Sequence, residues 1–269
     1  KNYPEATWAF ADLGNYRNSV IMKDKCEKSW RNSLATVATD NFMSVMRDAG
    51  AYFINPNGEV KNFIDHPGNA NEGIMIDEHG KVISLGDNNN LYALKEDGYV
   101  DNAVTNNQLV TDDEWHNIVQ ISPRFNVTNV ALRSDGKMLY GKTEGEKVED
   151  TWLKDISDWN DVVQFDYCYN RPSICQCIVG VKSDGNVYIV MDEAMAKNMS
   201  DEMIETFKTG FKDIKKIDVS QVPNDSGYIN AVALTKHDTV ITYINGVIDE
   251  YSADDVVDVE IYDEFIIND

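Results

Sequence analysis

Val130-Ala-Leu-Arg-Ser-Asp-Gly-Lys-Met-Leu-Tyr140 returns as Val179-Gly-Val-Lys-Ser-Asp-Gly-Asn-Val-Tyr188. Each copy is an apolar run, a turn signal and a second apolar run, the pattern of two strands joined by a tight hairpin. Asp and Gly adopt positive φ at little cost, so Asp135-Gly136 and Asp184-Gly185 predict two-residue turns. Val232-Ala-Leu-Thr-Lys-His-Asp-Thr-Val-Ile-Thr-Tyr243 is a third copy that has lost the Gly. Tyr92 to Val100, containing Asp97-Gly98, is a further copy upstream, as are Ile74 to Val82 and Ser44 to Tyr52. Val20 to Lys28 reads as a weaker version.

A second motif precedes the hairpin at a steady offset. It reads Trp115-His-Asn-Ile-Val-Gln-Ile121, Trp159-Asn-Asp-Val-Val-Gln-Phe165 and Phe211-Lys-Asp-Ile-Lys-Lys-Ile217. Ala253-Asp-Asp-Val-Val-Asp-Val259 closes the series, and Trp30 to Val37 is an early candidate. The anchors at 115, 159, 211 and 253 are 44, 52 and 42 residues apart. Two linked motifs that keep their order over four units imply a structural repeat.

A unit of this length with short hairpin-linked strands cannot bury both of its faces alone. Stacking such sheets radially covers each face with the next, which predicts an all-β chain forming one β-propeller domain over 1–269, with six or seven blades. Ring closure commonly draws strands from both termini. Ala6-Thr-Trp-Ala-Phe10 and Glu264-Phe-Ile-Ile-Asn-Asp269 are therefore expected to complete one shared blade. Ser200 to Lys208, with an N-cap, early acids and a Gly at 210, predicts a short helix between blades, and 146–157 a second.

The order of anchor aromatic, Asp/Asn-Ile-Val-x-Ile, loop and Val-Ala-Leu-Lys-x-Asp-Gly-x-Val resembles the regulator of chromosome condensation repeat family, best from about 115 to 259. The resemblance implies a propeller, typically seven-bladed, and a divergent, bacterial member of the family. Relatives include exchange factors for a small nuclear GTPase and secreted inhibitors of β-lactamases. What they share is a scaffold that presents loops to a protein.

Composition narrows the partners. The chain has 269 residues, 42% hydrophobic and 26% charged, in the range of globular domains. Its net charge of -22 opposes nucleic acids and anionic membrane surfaces. No run is long and apolar enough to span a bilayer as a helix, so no membrane insertion is expected. The first residue is Lys1, without a leader pattern, as in a processed chain, and an extracellular or cell-surface setting is the expectation.

No nucleophile elbow, metalloprotease helix or phosphate-cradling loop occurs, so no enzyme and no cofactor are expected. His79 and His237 fall in hairpin turns and read as solvated. Cys168, Cys175 and Cys177 leave open buried thiols, a loop-closing disulfide or a metal site. Trp115, Trp159 and Phe211 recur once per repeat and read as packing anchors between blades. The loops after the anchor strands carry Arg124, Phe125, Tyr167, Tyr169, Arg171 and Tyr228, residue types enriched at interfaces. These six are the candidate binding residues of a monomeric scaffold for an unknown protein or peptide partner. A surface hydrolase using carboxylates on the propeller face is the competing expectation, and a structural segment of a larger surface protein is a third.

Overall fold

The computed structural model describes residues 2–35, 43–47, 50–54, 60–62, 79–87, 91–102, 115–122, 130–140, 152–170, 175–221, 229–244, 246–252, 256 and 259. The chain divides into two compact units, Lys1–Thr151 and Trp152–Asp269. In the first, helices α1 (Tyr3–Asp12) and α2 (Ser19–Leu34) precede three sheets. These comprise β1 to β3 (Met43–Arg47, Gly50–Ile54, Val60–Asn62), β4 to β6 (Val82–Asp87, Leu91–Lys95, Val100–Asn102) and β7 to β9 (Ile118–Ile121, Val130–Arg133, Met138–Tyr140).

The second unit opens with a 3-10 helix, Trp152–Asp158. There follow β10 to β12 (Val162–Asn170, Cys175–Lys182, Val187–Met191), α3 (Glu193–Asn198) and α4 (Asp201–Gly210). The unit continues with the four-stranded sheet β13 to β16 (Ile214–Gln221, Ile229–Thr235, Thr239–Ile244, Val247–Ser252). Within every sheet consecutive strands are antiparallel neighbours. The chain is mostly β, as the alternation predicts.

The Asp-Gly turns differ from the two-residue expectation. Only the glycines sit at positive φ, +92° at Gly98, +83° at Gly136 and +93° at Gly185. The Gly98 amide donates to the Lys95 carbonyl and the Lys95 amide to the Tyr99 carbonyl, which makes a three-residue loop with a glycine bulge. Gly136 and Gly185 repeat both bonds, with Arg133 and Lys137 and with Lys182 and Asn186. The Asp contributes through its side chain. The amides of Tyr99, Lys137 and Asn186 donate to Oδ1 of Asp97, Asp135 and Asp184 at 2.9, 3.2 and 2.8 Å. In the copy without Gly, Asp238 takes the left-handed place at φ +57°, and Thr235 Oγ1 accepts the amides of His237 and Thr239.

The Asn/Asp of the anchor motif has an equally local cause. Asn117, Asp161 and Asp213 lie at φ +56°, +59° and +55°, a region these side chains tolerate better than most. Each is followed by a bulge at the start of β7, β10 and β13. Their carbonyls accept the amides of Ser134, Ser183 and Lys236, which ties each anchor to the hairpin of its own sheet. The anchor rings Trp115, Trp159 and Phe211 are buried. Trp115 clusters with Leu94 and Val100 of β4–β6 and with Ile118 and Ala131 of β7–β9.

The amino-terminal expectation is overturned. Ala6 to Phe10 is not a blade-closing strand but lies inside α1, because Asn2 Oδ1 accepts the Glu5 amide and Pro4 stands in the first turn, where its missing N–H costs nothing. Val20 to Lys28 and Trp30 to Leu34 are likewise helical, within α2. Glu264 to Asp269 lies outside the described residues. The inserted helix after Ser200 is present as α4, with Ser200 Oγ accepting the Met203 amide.

Candidate functional site

Helix α2 buries an unusual face. Glu27, Trp30 and Arg31, at helical spacing, point inward, while Val20, Ile21 and Met22 are exposed. The inward face is polar because it meets hairpin ends, where carbonyls need donors. Arg31 Nε donates to the Ile118 carbonyl at 2.7 Å and Nη1 to the Glu96 carbonyl at 2.5 Å. Trp8 Nε1, from α1, donates to the Ser134 carbonyl at 2.9 Å, and Ser134 Oγ donates to Glu27 Oε1 at 2.8 Å. Lys23 completes the Glu27 carboxylate at 2.6 Å, and Trp8 meets Trp30 edge to face. Burial pulls the Arg31 guanidinium down from its ordinary range, against the opposing pull of Glu27 and Asp97.

Beside this clamp lies a cavity of about 410 Å3, within the first unit. Asp24, Glu27, Glu96 and Asp97 bring four carboxylates to its walls, with Lys28, Arg31 and His79 as the basic groups. His79 Nδ1 lies 2.8 Å from Asp97 Oδ2, and its ring stacks on Tyr99 with centroids 4.0 Å apart. His79 is therefore a turn residue with partners, and its ring stays partly open to solvent. Lys28 Nζ reaches Glu96 Oε1 at 3.9 Å. Arg31 Nε and Nη1 serve backbone carbonyls, and the four carboxylates of the walls outnumber the fixed cations Lys28 and Arg31. Such a site suits a guanidinium or ammonium group.

Of the six candidate residues read from the sequence, Tyr167 falls within the described residues with its side chain. It lies in β10, not in a loop, and is 0% exposed, with its hydroxyl 2.6 Å from Gln176 Oε1. It is a packing residue, unable to touch a partner from that position. Tyr169 is described in its backbone alone, opposite Gln176 in the β10–β11 register. Arg124, Phe125, Arg171 and Tyr228 lie outside the described residues. Cys168 and Cys177 face each other across β10 and β11 as buried free thiols. Burial, with Cys168 alongside, pushes the Cys177 thiol well up, which makes it a poor nucleophile. No group of three or more His, Cys, Asp or Glu converges as a metal site among the described residues.

The cleft escapes a reading by motif because its walls come from residues 24–31, 79–80, 96–97 and 117. The local signal that existed was the Lys23/Glu27 pair four apart and the sixteen residues of α2 without Gly or Pro. The chain matches no protein-family model and no curated protein.

Proposed function

We propose that the chain is a non-catalytic binding scaffold, a divergent, bacterial relative of the regulator of chromosome condensation repeat propellers. Its blades, six or seven in number, carry the acidic cleft beside α2 as a receptor for a basic segment of a protein or peptide. The observation that carries this reading is the pairing of an anchored helix with a wall in which carboxylates outnumber cations: Arg31, Trp8 and Glu27 tie α2 to two hairpin turns and the start of β7, and Asp24, Glu96 and Asp97 stand beside them. Arg124, Phe125, Tyr169, Arg171 and Tyr228 remain proposed as a second contact surface; Tyr167 does not. A secreted or cell-surface setting accords with an acidic scaffold of this kind.

The test is fluorescence polarisation of labelled peptides, one rich in Arg and Lys and one with the same residues exchanged for Glu. The basic peptide is expected to bind, weakening steeply with salt, and the triple change Asp24→Asn, Glu96→Gln, Asp97→Asn is expected to weaken it at least tenfold, about 1.4 kcal/mol. Equal binding of both peptides, or an unaffected triple variant, would sink the proposal. The hydrolase reading draws on the His79–Asp97 pair beside Glu96; a hydrolytic activity lost in Asp97→Asn would carry it instead.

A further inference from the structure

Exposed apolar side chains are concentrated in two places. Among the described residues nine large hydrophobics are exposed, and Leu13, Tyr16, Val20, Ile21 and Met22 crowd the tip of the α1–α2 hairpin. Three more, Ile244, Val247 and Tyr251, lie on β15 and β16, and β16 is the outermost strand of its sheet. Folded chains seldom leave such groups clustered in water without a partner, and an outer strand adds a row of backbone donors and acceptors.

The two patches complement each other at Arg17. Between the exposed Asp12 and Asp24 the tip carries Arg17, which lies over the Tyr16 ring at 5.0 Å, and Lys23, which is paired with Glu27. From Ile244 to Ser252 the charged side chains are Asp249 and Glu250, both exposed. Within a chain of net charge -22, the Arg17 cation on an apolar tip meets carboxylates on any other copy, and at β16 it meets Asp249 beside apolar side chains.

We infer that the α1–α2 tip of one copy docks on the β15–β16 edge of a second copy. Leu13, Val20 and Ile21 cover Val247 and Tyr251, and Arg17 pairs with Asp249, which shares their face of β16. The contact is heterologous: each copy keeps one tip and one edge open after the first encounter, so the assembly grows beyond a dimer unless it closes into a ring. This departs from the monomeric scaffold expected from the sequence, and it depends on neither the acidic cleft nor the number of blades.

Sedimentation velocity of the full chain tests it, from micromolar to submillimolar concentration, at about 0.15 M salt, where a Debye length of about 8 Å screens the overall repulsion. The weight-average mass of the wild type is expected to rise above that of the monomer. A tip variant, Arg17→Glu with Ile21→Glu, and an edge variant, Val247→Lys with Tyr251→Lys, are each expected to stay monomeric. Mixed together, they are expected to form a 1:1 complex and nothing larger, since one retains its edge and the other its tip. That rescue also shows both variants are folded. A wild type monomeric throughout, a single variant that assembles like the wild type, or a mixture that stays monomeric would each overturn the inference.

Discussion

The amide of Ile214 donates to the carbonyl of Gly185 at 2.9 Å, joining the first residue of β13 to the hairpin turn of the preceding sheet. Ile118 and Gly98 make the same bond at 3.0 Å in the other unit. The glycine is needed twice over at these places. Its φ is positive, and a Cβ on Gly185 would stand 2.6 Å from Asp213 Cα, while one on Gly98 would stand 3.0 Å from Ile118 N. The repeated turn is thus the joint on which the next sheet rests.

Gly185→Ala is expected to destabilise the second unit by about 3 kcal/mol, combining backbone strain with displacement of β13. Gly14→Ala serves as the control. Gly14 has φ +55° but no neighbour within 4 Å, so it should cost only about 1 kcal/mol. Urea unfolding of the two variants separates conformation from crowding.

Arg31→Met keeps the length of the side chain and removes its donors. The carbonyls of Ile118 and Glu96 lose charged partners, at an expected cost of about 3 kcal/mol. Amide exchange at Ile118, whose own bond to Gly98 lies beside the lost contact, should accelerate.

In the second unit, side chains of β10 reach the backbone of β13. Gln164 Nε2 donates to the Ile217 carbonyl and Gln164 Oε1 accepts the Ile217 amide, while Asp166 Oδ2 accepts the Val219 amide at 2.7 Å. Gln164→Ala is expected to cost about 2 kcal/mol and to deprotect the Ile217 amide while leaving Val219 slow. Asp166→Ala should give the reverse pattern.

Burial raises Asp192 above its ordinary value of 3.8, against the opposing effect of the Met195 amide and others it accepts at the start of α3. The folded state therefore holds this proton more tightly than the unfolded one. Stability contributed by the protonated form is complete below the ordinary value and is lost as pH rises through the raised one. Asp192→Asn keeps an acceptor for Met195 without the charge. Its stability relative to the wild type is expected to grow as pH climbs through that window and then to level off, read from urea midpoints between acid and neutral pH.

The hairpins were legible because their cause is local. A left-handed glycine and a carboxylate that caps the second amide beyond it leave a signature of two letters, and the apolar runs beside it fix the strands. The amino-terminal helices were hidden for the opposite reason. The inward face of α2 sets Glu27 and Arg31 beside Trp30 while Val20, Ile21 and Met22 face outward, so hydrophobic periodicity misplaces the buried side. Tyr167 shows a third limit. An aromatic inside a predicted loop looks like an anchor for a partner until the strand proves longer than its motif, and β10 runs to Asn170. The cleft is a product of distance along the chain: His79 and Asp97 meet only after their sheet has formed.

The Asp-Gly turns also bear on how the protein ages. An aspartyl-glycyl bond deteriorates when the glycine nitrogen attacks the neighbouring carboxyl carbon and closes a five-membered imide. At 97–98, 135–136 and 184–185 that nitrogen already donates to the carbonyl three residues back, and the carboxylate is turned toward the amide beyond the glycine. The same geometry that shapes each hairpin holds the two reacting groups apart, so chemical wear at these sequence-fragile bonds should track the fraction of time the chain spends unfolded.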